Sequence, residues 1–198
     1  MKINFDSNLF VNELEVKGDL ELKSGLNVLS GRNGLGKSTL FNFIKNNRNK
    51  FFENEKLSFM DQFPLMPLSE LRVQDLFNIL VEDISYFDIK KSNELLDFFK
   101  FNSLLTRSVN LLSGGENQIL KFILASSQKT NFYFFDEPLQ YLDGENLKKV
   151  IDEIKNLSTS STVVVIEHRK EHLSHLDVNW IEMVEDGDSI LVGAKSGI

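Results

Sequence analysis

Apolar and polar positions change rhythm several times along this chain, and each rhythm predicts an element. Residues 3–5, 14–16 and 20–22 alternate apolar with polar, the signature of short half-buried strands. Lys17-Gly18-Asp19 reads as a turn between the last two, so this entry region is expected to be antiparallel. Leu26-Asn27-Val28-Leu29 is an apolar run that predicts a buried strand, and a helical spacing follows at Leu40, Phe41, Phe43 and Ile44. Residues 46–50 are polar, residues 57–60 form a short strand, and Pro64 and Pro67 break regular structure just beyond it.

From about residue 69 to residue 102 apolar positions recur at three- and four-residue steps. Leu71, Leu76, Ile79 and Leu80 make one helical set, and Leu95, Leu96, Phe98 and Phe99 another. Residues 116–127 and 146–156 give two more amphipathic helices. Residues 132–135 are wholly apolar, as suits a strand inside a parallel sheet, and residues 162–166 are a second buried strand rich in β-branched side chains. Two short strands, 180–184 and 189–192, flank Gly187. The order is a β-rich entry, a helical insertion at about 69–128, then β-α-β. This predicts one α/β domain over residues 1–198, with an antiparallel β-subdomain at its start.

Composition narrows the chemistry. The chain is 41% apolar and 26% charged, ordinary for a water-exposed globular domain. It has no cysteine, which excludes disulfides, thiol catalysis and zinc–thiolate clusters. A net charge of -7 is a poor match for nucleic-acid phosphate, so no direct nucleic-acid contact is expected. Seventeen Phe predict an aromatic core. No apolar run is long enough to span a membrane, and residues 1–6 alternate with no secretory h-region, so a cytoplasmic location is expected.

Gly31-Arg32-Asn33-Gly34-Leu35-Gly36-Lys37-Ser38-Thr39 fits G-x-x-x-x-G-K-[ST], between a predicted strand and a predicted helix. Glycines there let backbone N–H groups curl round an anion, and the helix N-terminus points its dipole at it. Lys37 supplies a charge for the β/γ-phosphates, and the Ser38 hydroxyl suits Mg²⁺. Asp136 stands at the end of the apolar strand 132–135, where it can hold Mg²⁺, and Glu137 can accept a proton from an attacking water. Leu112-Ser113-Gly114-Gly115-Glu116 opens a helix and makes a second glycine-lined anion site, although Ser113 and Glu116 also suit an ordinary helix cap.

The phosphate loop, Asp136-Glu137 and Leu112–Glu116 in this order resemble the motifs of ATP-binding-cassette (ABC) ATPases, and the resemblance runs from about residue 3 to residue 193. It implies a P-loop ABC-type core, ATP and Mg²⁺ as ligands, and ATP hydrolysis. It also implies a head-to-tail pair of cassettes, homodimer or heterodimer, with Ser113, Gly114 and Gly115 completing the partner's site. Gln62 resembles the Q-loop glutamine near the metal. Leu142-Asp143 resembles the D-loop, although Asp143 or Asn146 could equally cap the next helix. His168 resembles the switch histidine, and Phe10 or Phe5 would stack on adenine. Ile119 and Leu124 stand where the family often carries Arg, and Gln140 and Tyr141 where small residues are common. The single cassette implies the ATPase subunit of a transporter at the inner face of a membrane, working with an integral membrane subunit. A cassette ATPase of DNA repair or of ribosomes is the alternative.

Overall fold

The computed structural model describes residues 1–5, 9–11, 13–53, 55–61, 70–83 and 85–194. In chain order it forms β1 (Lys2–Asn4), β2 (Phe10–Val11), β3 (Leu14–Glu21), β4 (Gly25–Gly31), α1 (Lys37–Asn46), α2 (Arg48–Phe51), β5 (Leu57–Met60), α3 (Val73–Asp83), α4 (Ile89–Phe98), α5 (Gly114–Ser126), β6 (Phe132–Asp136), α6 (Gly144–Ser158), β7 (Thr162–Ile166), β8 (Val178–Asp186) and β9 (Ser189–Ala194). The strands make one mixed sheet in the order β1-β3-β9-β8-β4-β7-β6-β5, with β2 beside β3.

Strand β4 owes its inner position to its sequence, because Leu26, Asn27, Val28, Leu29 and Ser30 are all buried. It pairs in parallel with β7 on one side and β8 on the other, and β6 and β5 continue the parallel set. Parallel strands covered on both faces read as unbroken apolar runs, and residues 132–135 and 163–166 do. Asn27 and Ser30 are polar exceptions in β4. The Asn27 amide donates to the carbonyls of Lys23 and Gly25, and the Ser30 hydroxyl to that of Ile181, which satisfies both inside the sheet.

Two apolar clusters cover the two faces. One joins α3, α4, α5 and α6 to the sheet through Phe101, Phe122, Phe135, Leu120 and Ile154. The other packs α1 and the entry strands around Phe134, Phe41, Phe52 and Leu40. The aromatic core expected from the composition is present. Phe59 and Phe134 stack at 4.9 Å between centroids, and Phe41 and Phe52 meet Phe134 edge-on.

The entry region departs from the sequence reading. Lys17-Gly18-Asp19 is not a turn: β3 runs unbroken from Leu14 to Glu21. Gly18 has φ +100, and a Cβ there would lie 2.2 Å from the Val192 carbonyl oxygen of β9. The glycine thus permits close approach by a parallel partner, a reason that alternation within the strand does not reveal. The pairings of β1 and β2 with β3 are antiparallel as expected, but β3 with β9 is parallel. The polar stretch 46–50 contributes to α2, a single helical turn. Pro64 and Pro67 lie outside the described residues.

Candidate functional site

The loop between β4 and α1 is held from inside. Lys37 is the first residue of α1 and is 6% exposed, and its Nζ donates to the carbonyls of Gly31 and Arg32, each at 2.9 Å. Burial pushes the ammonium below its usual range, and Glu137, Asp136 and Glu167 oppose that shift. Gly36 sits at the helix N-cap in the left-handed region, φ +81, and a Cβ would fall 2.3 Å from Val11 Cγ1. Strand β2 therefore presses directly on the loop, and only glycine fits between them. Leu35 is buried under the loop, while Arg32, Asn33, Gly34 and Thr39 are exposed. A cleft of about 550 Å³ opens over Asn33, Gly34, Gly36, Lys37, Ser38 and Thr39, with Val11, Glu137, Gln140 and His168 as its other described walls.

The end of β6 supplies the acids. Asp136 is 3% exposed and lies beside the Ser38 side chain. Burial raises its carboxyl to about 6, helped by Glu137 and Asp61, while Ser38 and Lys37 act to lower it. Its Oδ1 is buried without a hydrogen-bond partner, an arrangement that a cation would satisfy. The donor set, a hydroxyl and a carboxylate beside a phosphate loop, fits Mg²⁺. Gln62, the third expected metal contact, lies outside the described residues.

Glu137 follows with φ +50, unusual for a residue with a side chain. Three backbone bonds hold it there. Its N–H donates to the Ile166 carbonyl at 3.0 Å, and its carbonyl accepts from Gln118 Nε2 at 2.7 Å and from the Gln140 N–H at 3.1 Å. Its Oε1 lies 3.3 Å from His168 Nδ1. His168 is set by a residue that the sequence reading passed over. Glu167 is 2% exposed, and its Oε1 accepts from the backbone N–H groups of His168 and Arg169, both at 2.9 Å. An acidic residue directly after a β-branched strand was the available signal.

The turn before α5 is a complete capping box. Ser113 Oγ accepts from the Glu116 N–H at 3.3 Å, and Glu116 Oε2 accepts from the Ser113 N–H at 2.7 Å. Ordinary capping, weighed from the sequence, is thus real. None of Ser113, Gly114 and Gly115 is among the described residues lining the 550 Å³ cleft. Asp143 sits at the N-cap of α6 but makes no side-chain cap bond, so its exposed carboxylate is not used for capping. Tyr141 is 70% exposed at φ +62 and covers Gly114. Ile119 and Leu124, in place of the family's arginines, are core residues of a helix buried throughout 118–126. Phe5 is buried against Phe43, whereas Phe10 is 58% exposed.

The fold is that of the ABC ATPase cassettes. A solved structure titled as the ATP binding subunit of an ABC transporter superposes with a TM-score of 0.78 over 98% of this chain and 89% of that one, at 14% identity. The archaeal ribosome recycling factor aABCE1 superposes with a TM-score of 0.72 over 90% of this chain and 40% of its own, at 23% identity. The family model described as ABC transporter matches residues 18–140, and the chain belongs to that family. A putative ABC transporter ATP-binding protein of Bartonella quintana is 30% identical over 169 residues, 74% of this chain and 73% of its own. The ATP-binding protein of the tungstate uptake system of Campylobacter jejuni is 27% identical over 197 residues, 86% of this chain and 58% of its own. Against putative ABC transporter ATP-binding proteins of Bacillus cereus and Vibrio parahaemolyticus the chain spans only 23% and 22% of the relative's length.

Proposed function

We propose that this chain, a single cassette over residues 1–198 with its helical subdomain at about 69–128, hydrolyses ATP to ADP and phosphate as the ATP-binding subunit of a membrane transporter. Lys37 and the N–H groups of residues 31–39 bind the β- and γ-phosphates, and the N-terminus of α1 adds its dipole. Ser38 and Asp136, with Gln62, hold Mg²⁺. When bound, the metal offsets charge on the phosphate oxygens. Phe10 stacks on adenine; its exposure supports it over Phe5. Glu137 takes the proton of the attacking water, and His168 keeps the Glu137 carboxylate aimed. Catalysis is by position and charge, with no covalent intermediate.

The Glu137–His168 contact of 3.3 Å at the wall of the Lys37 cleft carries this reading. Glu137→Gln tests it. The variant is expected to bind ATP and lose hydrolysis by about 10²-fold or more, the loss that follows removal of a catalytic proton acceptor. Unchanged turnover refutes the assignment.

Two cassettes are proposed to pair head to tail, as homodimer or heterodimer, with Ser113, Gly114, Gly115 and Asp143 of each facing the partner's nucleotide. That residues 113–115 do not line the described cleft of their own chain supports action in trans. Sedimentation of the Glu137→Gln chain with and without Mg-ATP tests it, a dimer appearing only with nucleotide. The membrane role draws on the relatives named for transport. Among the described residues no helix is long and apolar enough to cross a bilayer, so an integral subunit would do the spanning, with this chain at the cytoplasmic face. Co-purification with such a subunit from detergent-solubilised membranes tests this; recovery only as free protein contradicts it. The likeness to aABCE1 favours a second reading, an ATPase acting on ribosomes. The net charge of -7 weighs against it, and salt-sensitive binding to ribosomes would reverse that judgement.

A further inference from the structure

We propose that Lys121 is a positioning residue which, together with Gln118, fixes the ends of β5 and β6 to the helix that carries the Ser113 turn. The proposal rests on the hydrolysis reading above and extends it to a residue outside the cleft.

Gln118 and Lys121 stand three apart on α5 and so share a face. Each donates to a backbone carbonyl. Gln118 Nε2 bonds the Glu137 carbonyl at 2.7 Å, and Lys121 Nζ bonds the Asp61 carbonyl at 3.2 Å. Those carbonyls stand at adjacent strand ends, one residue out of register. Glu137 is the first residue after β6, Asp61 the first after β5, and the two strands pair in parallel with Met60 opposite Phe135. One helix face thus grips two neighbouring strand ends, beside the acid proposed to take a proton and the one proposed to hold metal. Asp61 is gripped from its other side as well. Its carboxylate pairs with Lys45 of α1 at 2.5 Å, so the phosphate-loop helix and α5 meet on one residue.

The setting of Lys121 argues that it is kept for more than packing. It is 9% exposed and lies in a run that is otherwise apolar, Ile119, Leu120, Phe122, Ile123 and Leu124, all buried. Burying an ammonium opposes folding, and an apolar side chain of similar length usually serves stability better. Burial does push this ammonium below its ordinary range, and the nearby Asp136 and Asp61 charges hold it up. A cation maintained against that cost, between the strand ends that frame the cleft, transmits displacement of the Ser113 turn to the two acids.

Lys121→Met and Lys121→Arg in the full chain test this. Expected for Met is a kcat lower by about 10²-fold, the scale of a misplacement of about 1 Å, with unchanged KM and unchanged equilibrium binding of a fluorescent ATP analogue. Its melting temperature should equal or exceed that of the wild type, and Arg should recover part of the lost kcat. Gln118→Leu should lower kcat in the same way. A Lys121→Met chain with wild-type kcat overturns the proposal while leaving Glu137-dependent hydrolysis intact. So does a kcat loss that travels with a lower melting temperature and is not recovered by Arg, since that marks a purely structural residue. Wild-type turnover indifferent to Glu137→Gln would remove the hydrolysis reading and this proposal together.

Discussion

The carboxylate of Glu137 and the imidazole of His168 come within 3.3 Å of each other although thirty-one positions separate them in the chain. Neighbouring strands bring them together. Asp136, the last residue of β6, pairs with Ile166, the last of β7. Glu137 then donates to the Ile166 carbonyl, and the Glu167 carboxylate pins the His168 backbone. His168→Ala should lower kcat by about 10²-fold through loss of orientation, with nucleotide affinity retained. Glu167→Ala should reproduce the defect more mildly, because it frees the turn and leaves the imidazole in place. Single-turnover kinetics with a parallel binding titration checks both.

Asp136 gives the protein a pH dependence without added metal. Its carboxyl is raised to about 6 from an ordinary 3.8, so between those values the folded chain holds a proton that the unfolded chain has released. Stability should therefore fall as pH rises from about 4 to about 6, by at most about 3 kcal/mol at 1.36 kcal/mol per pKa unit. Asp136→Asn should remove this contribution. With EDTA present, it should melt higher than wild type at pH 8, with a smaller gain at pH 4. The same variant should lose Mg²⁺-dependent hydrolysis. Thermal melts across pH, compared between the two proteins, measure the effect.

Gly36→Ala should damage the phosphate loop in two separable ways. The left-handed backbone costs roughly 1–2 kcal/mol for a residue with a Cβ, and the new methyl would overlap Val11. Nucleotide binding should fail or weaken strongly. Adding Val11→Ala to Gly36→Ala should recover only the part due to crowding. Isothermal titration of ATP against the single and double variants reads out the split.

Ser113 has a local duty as a cap and a proposed distant one in the partner's site. Alanine removes both, at a cost of about 1 kcal/mol in the helix cap alone. Ser113→Asp separates them. An aspartate caps about as well as serine, so the melting temperature should hold. Its charge would face a γ-phosphate in the paired state, and nucleotide-dependent dimerisation in the Glu137→Gln background should be lost. Stable dimers of the doubly substituted chain would exclude Ser113 from the shared site.

Much of this arrangement is legible in the sequence. Strands β5 and β7 fall where their apolar runs predict, and the phosphate loop announces itself by spacing alone. These features are local, and local patterns carry their own cause. What could not be read depends on distant chain. Gly18 sits among polar residues and imitates a turn, because the Val192 carbonyl that demands a glycine lies far along the sequence. Nothing in a run of residues announces the positive φ of Glu137, which bonds from Gln118 and to Ile166 impose. Lys121 reads as one polar position on an amphipathic helix until the Asp61 carbonyl is found beside it.

The parallel pairing of β3 with β9 bears on how the protein is born. Within the described sheet, β9 alone links the entry strands to the remainder. Val11, which presses on Gly36, belongs to those entry strands. During synthesis, the first strands therefore join the rest of the sheet only after β9 has left the ribosome. Until then the Val11 wall of the phosphate cradle lacks its anchor in the sheet, so a nascent chain halted before residue 189 should hold ATP less firmly even with every loop residue already made.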